Sequence, residues 1–254
     1  MTPDVVVDVG NSRIKLGRCQ GGRVIEHVSL PPESLDDWGI AAQSWFGDRQ
    51  LRIAAAGVHP VRLNRLCEWS GPRGHEYAEI TSYQQLPLPL DVDRPEGVGI
   101  DRLLGVLAAS RRIEPGEPAV TVDVGTAVTV NLLTSAGAFG GGCILPGPWL
   151  MARALHEFTA KLPLVEPVPG LPAGTVGRDT QAAIRSGIQA AVYGAVERIV
   201  NNLADQVGHR LPVFVTGGGS AFLTGFGFAG GVSGLEYDER LVLDGIRLAA
   251  EALP

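Results

Sequence analysis

The 254-residue sequence lacks a long hydrophobic run, a basic block and a cysteine framework, and each absence closes off a class of function. No uninterrupted apolar stretch approaches the roughly 18 residues of a spanning helix, so no segment is expected to cross a membrane. With a net charge of −6 and no cluster of Lys and Arg, nucleic acid is not an expected partner, because binding a phosphate backbone needs a concentrated basic face. The three cysteines, Cys19, Cys67 and Cys143, are far apart and have no metal-ligand spacing, which points to a reduced, cytoplasmic protein. Met1-Thr2-Pro3-Asp4 leads directly into a strand pattern, and no signal peptide is expected. Two nucleotide motifs are missing as well. There is no Gly-x-x-x-x-Gly-Lys-Ser/Thr, which excludes a Walker-type ATPase, and no Gly-x-Gly-x-x-Gly after a strand, which argues against a dinucleotide fold.

What is present is a core-forming composition, 45% hydrophobic and 19% charged, in a length that suits one large domain or two of about 120 residues. Glycine is unusual: 34 residues, about twice the average of roughly 7%. Many turns, or close approaches of backbone to a ligand, must account for it. One pattern occurs twice. Residues 5–7 read as a buried strand, Asp8-Val9-Gly10-Asn11-Ser12 as a turn, and 13–17 as an alternating strand returning antiparallel. Residues 120–122 lead in the same way into Asp123-Val124-Gly125-Thr126-Ala127 and an alternating strand over 128–132. The two aspartates lie almost half the chain apart, which argues for a duplicated α/β unit with a ligand between the halves, divided into 1–117 and 118–254.

Around this repeat the sequence predicts a strand over 51–56 and an amphipathic helix over 101–112, with apolar Leu103, Leu104, Val106 and Leu107. A helix over 148–161 is stopped by Leu162-Pro163, and a Pro/Gly-rich loop covers 164–177. A long helix over 178–206 is capped by Asp179 or Thr180, a strand over 211–215 runs into Thr216-Gly217-Gly218-Gly219, and a last helix covers 238–252.

An Asp-x-Gly hairpin suits phosphate chemistry. Glycine lets backbone N–H groups come close to phosphate oxygens, Lys15 adds a positive charge, and a strand-end aspartate can hold a cation. Phosphoryl transfer asks for positioned donors and for metal neutralising charge on the β- and γ-oxygens. A single copy is accounted for by a tight turn whose Asp caps its own backbone; the pair points to phosphate. Gly99-Ile100-Asp101-Arg102 opens a helix. Asp101 is either a first-turn carboxylate favoured by the helix dipole or a general base for a substrate hydroxyl, with Arg102 beside it for an anionic group. Gly140-Gly141-Gly142-Cys143-Ile144-Leu145-Pro146-Gly147 reads as a glycine-rich loop before a helix, either a crossover or a wall of the active site.

Taken in order, these segments, with Thr159-Ala160-Lys161-Leu162-Pro163 and Thr216-Gly217-Gly218, resemble the signature of the type III pantothenate kinases along nearly the whole chain. The resemblance implies two actin-like (ribonuclease H-like) α/β domains with the active site in the cleft between them. It implies ATP-dependent phosphorylation of pantothenate to 4′-phosphopantothenate, the first step of coenzyme A synthesis. By motif position Asp8, Val9, Gly10, Asn11, Ser12, Arg13, Ile14 and Lys15 would bind ATP phosphates, joined by Thr126. Asp123 would hold a monovalent cation, K⁺ or NH₄⁺, with Mg²⁺ travelling on the ATP. Asp101 would accept the hydroxyl proton, and Gly99, Ile100, Asp101 and Arg102 with Thr180 would bind pantothenate. The family's homodimer is implied too, and the long alanine-rich helix over 178–206, with few bulky exposed groups, agrees with it.

Three positions depart from the family pattern. Ser12 replaces a Thr and keeps the hydroxyl, Val92 stands where a Tyr precedes Pro95, and Asn131 replaces the second aspartate of Asp-x-Gly-Thr-Ala-x-Thr-x-Asp. Two other readings stand beside the kinase: a non-catalytic regulatory member of the family, and a kinase of the same fold acting on another small hydroxy acid. Retention of Asp8, Asp101 and Asp123 together favours catalysis over the first.

Overall fold

The computed structural model describes residues 1–33, 35–170, 175–224 and 230–253. Along the chain run β1 (Val5–Val9), β2 (Ile14–Gln20), β3 (Arg23–Leu30), α1 (Leu35–Phe46), β4 (Arg52–Gly57), α2 (Pro60–Ser70), β5 (Glu76–Ile80) and α3 (Ile100–Ala109). There follow β6 (Ala119–Val124), β7 (Ala127–Leu133), β8 (Phe139–Pro146), α4 (Pro148–Glu157), α5 (Thr180–Val207), β9 (Leu211–Thr216), β10 (Val232–Tyr237) and α6 (Leu241–Ala252). Contacts divide the chain into two compact units. One is Met1–Glu114 with Gly137–Phe139 and Arg240–Pro254; the other is Pro115–Ala136 with Gly140–Glu239.

The first unit holds a five-stranded sheet in the order β3-β2-β1-β4-β5, with β1 antiparallel to β2 and parallel to β4. The second holds β10-β9-β6-β7-β8, with β6 antiparallel to β7 and parallel to β9. This is one plan used twice: β6 takes the place of β1, β7 of β2 and β9 of β4. In each sheet the strand that ends in Asp-Val-Gly is central and valine-rich. Val5, Val6, Val7 and Val9, like Val120, Val122 and Val124, are buried, as expected of strands covered on both faces. Trp38, Leu63 and Leu66 pack on Val5, Val7 and Val9. In the second unit α5 lays Ile184, Ile188, Val192, Val196 and Val200 along its sheet, a four-residue spacing that keeps one helical face on the core.

Several expectations change at this level. Asp8 and Asp123 lie within β1 and β6, one residue short of the strand ends, so the turns begin at Gly10 and Gly125. The helix expected over 101–112 is α3, which ends at Ala109. It is buried on nearly every side rather than amphipathic, because α6 packs against it. A Cβ on Gly245 would lie 2.1 Å from the Leu104 carbonyl oxygen, so α6 and α3 meet at backbone distance. Residues 240–254, which a division at 117 assigns to the second half, therefore pack in the first unit. Of the glycine run over 140–147, residues 140–146 belong to strand β8 rather than a loop, and Gly147 precedes α4. A Cβ on Gly142 would meet the Val130 oxygen at 2.0 Å, and Gly141 has φ +86°, so the glycines allow a tight and bent strand pairing. α4 stops at Glu157, short of the expected 161. The Thr159 hydroxyl donates to the Leu155 oxygen (2.7 Å) and accepts from the Leu162 N–H (3.3 Å), taking over backbone groups at the helix end. Of the loop expected over 164–177, residues 171–174 lie outside the described residues, and the rest carries no helix or strand. The strands β3, β5 and β10 and the helices α1 and α2 were not foreseen.

Candidate active site

In the first unit the β1–β2 hairpin pairs Asp8 with Lys15 and Val9 with Ile14. Directly opposed residues of an antiparallel pair share a face, so Asp8 and Lys15 are neighbours on one side of the sheet. The turn is closed by Gly10 N–H to the Arg13 oxygen (3.1 Å), and Asn11, Ser12 and Arg13 are exposed at its tip. A Cβ on Gly10 would approach that same oxygen at 3.0 Å.

The hairpin is held by a residue that sequence reasoning missed. Arg62, on α2, donates from Nη1 to the oxygens of Gly10 (2.8 Å) and Asn11 (2.6 Å) and pairs through Nη2 with Glu33 (3.4 Å). One guanidinium thus ties down two carbonyls of the turn. Nothing in the spacing of Arg62 announces this, because its partners are backbone atoms of another element.

The second feature of this unit is the start of α3. Gly99 is the residue before the helix, and its oxygen accepts from Arg102 N–H at 3.1 Å. The Asp101 Oδ1 accepts from Arg102 N–H at 2.9 Å, and a Cβ on Gly99 would stand 2.6 Å from that Oδ1. The carboxylate folds back over Gly99, so a larger residue there would push Asp101 from this position. Asp101 and Arg102 are both half-buried. The Arg102 guanidinium lies 5.3 Å from the centre of the buried Phe139 ring, a cation–π contact that fixes its direction. Phe139 is in turn bonded to the segment before the helix, N–H to the Pro89 oxygen (2.8 Å) and oxygen from Asp91 N–H (2.9 Å). Val92 lies in that segment and is half-buried.

In the second unit the β6–β7 hairpin pairs Asp123 with Thr129 and Val124 with Val128, closed by Gly125 N–H to the Ala127 oxygen (2.9 Å). Thr126 is exposed at its tip. Two glycine segments press on this turn. Gly147 N–H donates to the Thr126 oxygen and Gly219 N–H to the Val124 oxygen, at 2.9 and 2.8 Å. A Cβ on Gly147 would lie 2.1 Å from the Gly125 oxygen, and one on Gly217 would lie 2.3 Å from Asp123 Oδ1.

Asp123 is flanked by oxygens. Thr216 is its register partner on β9, and the Thr216 hydroxyl is buried with no hydrogen-bond partner among the described residues. Asn131 is buried and donates from Nδ2 to the hydroxyls of Thr121 (3.2 Å) and Thr129 (3.3 Å). The amide thus bonds the hydroxyls on the strands beside Asp123. A carboxylate with threonine hydroxyls suits a weakly hydrated cation. Among the described residues no group of three or more His, Cys, Asp or Glu gathers to hold a divalent ion. Thr180 is exposed in the first turn of α5, whose cap is Asp179, accepting from Ala182 N–H at 2.9 Å.

The family model of type III pantothenate kinase matches residues 5–202, which include both hairpins, the α3 start and Thr180. The chain is similar to a type III pantothenate kinase from Brevibacillus brevis, 33% identical over 97% of this chain and 98% of that one. It is also similar to one from Kosmotoga olearia, 33% identical over 88% of each. Among solved structures it resembles MreB5 of Spiroplasma citri bound to ADP, with a TM-score of 0.52 and 10% identity, covering 99% of this chain and 97% of that one, a likeness of fold alone. The expected duplication of an actin-like α/β unit is the observed fold.

Proposed function

The chain belongs to the type III pantothenate kinase family, and from that premise we propose how its residues share the reaction. The reaction transfers the γ-phosphoryl group of ATP to the hydroxyl of pantothenate, giving 4′-phosphopantothenate and ADP in coenzyme A synthesis. The observation that carries the assignment of residues is the repeated plan: Asp-Val-Gly closes the central strand of both sheets at the same register position. In our reading Asp8 to Lys15 cradle the ATP phosphates through the turn N–H groups and the Lys15 ammonium, with Thr126 contributing its hydroxyl. Mg²⁺, when bound with ATP, neutralises charge on the β- and γ-oxygens. Arg102, aimed by Phe139, pairs with the pantothenate carboxylate, and Gly99, Ile100 and Thr180 border that substrate. The Asp101 carboxylate takes the hydroxyl proton as the oxygen–phosphorus bond forms and the bridging oxygen leaves with ADP. A loose phosphoryl-transfer transition state needs only a weak base.

Asp123, with the hydroxyls of Thr129 and Thr216 at its sides, is our site for K⁺ or NH₄⁺. The coupled release of ADP on adding pantothenate is expected to be several-fold faster in K⁺ or NH₄⁺ than in Na⁺ alone; equal rates would remove the cation from the account. Asn131 lowers the negative charge beside that site, so the dependence should be shallower than where an aspartate stands.

No helix among the described residues is long and apolar enough to cross a membrane, and we place the enzyme in the cytoplasm with its metabolic substrates. We also read it as a homodimer. α5 shows no exposed large hydrophobic side chain among its described residues, so the support lies elsewhere in the second unit. Ile144, Trp149, Leu150, Phe158, Leu164 and Val168 are exposed there, Phe158 at 85%. Apolar surface of this kind on a soluble enzyme is ordinarily covered by a partner, here a second copy. Sedimentation at micromolar concentration should give twice the 26.7 kDa chain mass; a single 26.7 kDa species would refute the dimer.

A further inference from the structure

The first unit has a second groove, at the end of its sheet opposite the β1–β2 hairpin. It is bordered by Asp4 before β1, by Arg18 and Cys19 at the end of β2, and by Arg52 at the start of β4, and it encloses about 540 Å³. The five residues of β1 separate it from the hairpin turn, roughly 16 Å at strand rise. A volume of this order accommodates a small molecule.

Its lining is cationic in a protein of net charge −6. Arg18, Arg49, Arg52 and Arg247 line it, against two carboxylates, Asp4 and Glu251. Asp4 alone serves two guanidinium groups: Arg49 Nη2 at 2.9 Å from Oδ1, and Arg52 Nε at 3.3 Å from Oδ2. Burial would raise the Asp4 carboxyl, but the Arg52 N–H and the two arginines outweigh it and hold it below the ordinary range, so it stays ionised. Glu251 is taken by Arg247 Nη1 at 2.8 Å. Arg18 pairs with Glu26, 3.7 Å away and outside the groove lining. Burial pushes the Cys19 thiol up to about 12, so it adds no negative charge near neutral pH.

Two of these arginines carry buried donors without acceptors. Arg18 Nε and Arg247 Nε make no hydrogen bond among the described residues, although Arg247 Nε stands 3.5 Å from Asp244 Oδ1 as an ion pair. A buried N–H without an acceptor is costly, so these two side chains are incompletely paired where they line the groove. The guanidinium groups are also pre-positioned. Arg18 and Arg49 lie 5.5 and 4.6 Å from the centre of the Phe46 ring, so little side-chain freedom is left to lose on binding. On the open side Gly21 and Gly22, at φ +58° and +70°, form a rim with nothing within 4 Å of where a Cβ would stand.

We propose that this arginine-lined groove binds a phosphate-bearing small molecule at a site separate from the kinase centre. Arginine forks match phosphate oxygens in pairs, and here four guanidinium groups line one groove, with two carboxylates among the lining residues. The assignment stands on the first unit alone and does not depend on which residues perform phosphoryl transfer.

The test uses the full chain preloaded with a non-hydrolysable ATP analogue and titrates inorganic pyrophosphate by calorimetry. Wild type should bind one further equivalent, more weakly as salt is raised. The Arg18→Gln/Arg49→Gln double variant should weaken that binding by about tenfold or more. Where the double variant fails to fold, Arg49→Gln alone, at a half-exposed side chain, should still weaken it by about threefold or more. Absence of the further equivalent in wild type, or binding that survives loss of the arginines, would each overturn the site.

Discussion

An Asp101→Asn enzyme should fold normally, keep its affinity for ATP and turn over about 10²–10⁴-fold more slowly, a barrier increase of roughly 3–5 kcal/mol. The substitution is matched to the geometry. The contact that Asp101 makes in the structure, Oδ1 accepting from Arg102 N–H at 2.9 Å, needs only an oxygen, which the Asn amide supplies in the same place over Gly99. What it cannot do is take a proton from a substrate hydroxyl. If Asp101 served only the helix start, losing its charge would cost about a few tenths of a kcal/mol of stability and nothing in rate. Steady-state turnover with saturating ATP and pantothenate, set beside a melting curve, separates the two by orders of magnitude. Retention of most of the wild-type turnover would refute the base.

The second large effect is on the glycine that lets β9 pass the end of β6. Gly217→Ala should lower stability by about 2–5 kcal/mol, a large share of the ~5–15 kcal/mol that holds a typical domain folded. Two costs combine. At φ +92° an alanine is strained by itself, and its Cβ would arrive 2.3 Å from Asp123 Oδ1 and 2.5 Å from the Val124 oxygen. Backbone cannot yield there without moving the carboxylate, so cation-dependent activity should fall with stability. Gly218, one residue on, is the control: nothing lies within 4 Å of its Cβ position, and Gly218→Ala should change stability by less than about 0.5 kcal/mol. The repeat supplies a companion. Gly57, the last residue of β4, stands opposite the end of β1 as Gly217 stands past the end of β9, and a Cβ there would lie 2.3 Å from the Val9 oxygen. Denaturant midpoints of Gly57→Ala, Gly217→Ala and Gly218→Ala should rank the first two far below the third.

The duplication was legible because it is written in local patterns. A valine strand, Asp-Val-Gly and an alternating return strand specify a hairpin by period and turn chemistry alone. The same holds for α5, whose Asp179 cap and four-residue apolar spacing bound it closely. Features that depend on close contact between distant segments were not legible. The run over 140–147 reads as a loop by composition, yet glycine there serves a strand that runs against Val130 and Asn131. The burial of α3 depends on α6, which meets it from the far end of the chain through Gly245. Within the site, Asp101, Arg102 and the two hairpins were legible as residue types in order. Arg62 and Phe139 were not, because one acts on backbone carbonyls and the other through the face of a ring. The glycine excess serves, besides turns, close packing against neighbouring backbone at residues 57, 142, 147, 217 and 245.

The central claim is that these residues phosphorylate pantothenate. The purified chain, incubated with ATP, Mg²⁺, K⁺ and pantothenate, should yield 4′-phosphopantothenate by mass spectrometry, one ADP for each product molecule, with no ADP formed when pantothenate is left out. Failure to form that product, or faster phosphorylation of another small hydroxy acid under the same conditions, would contradict the account.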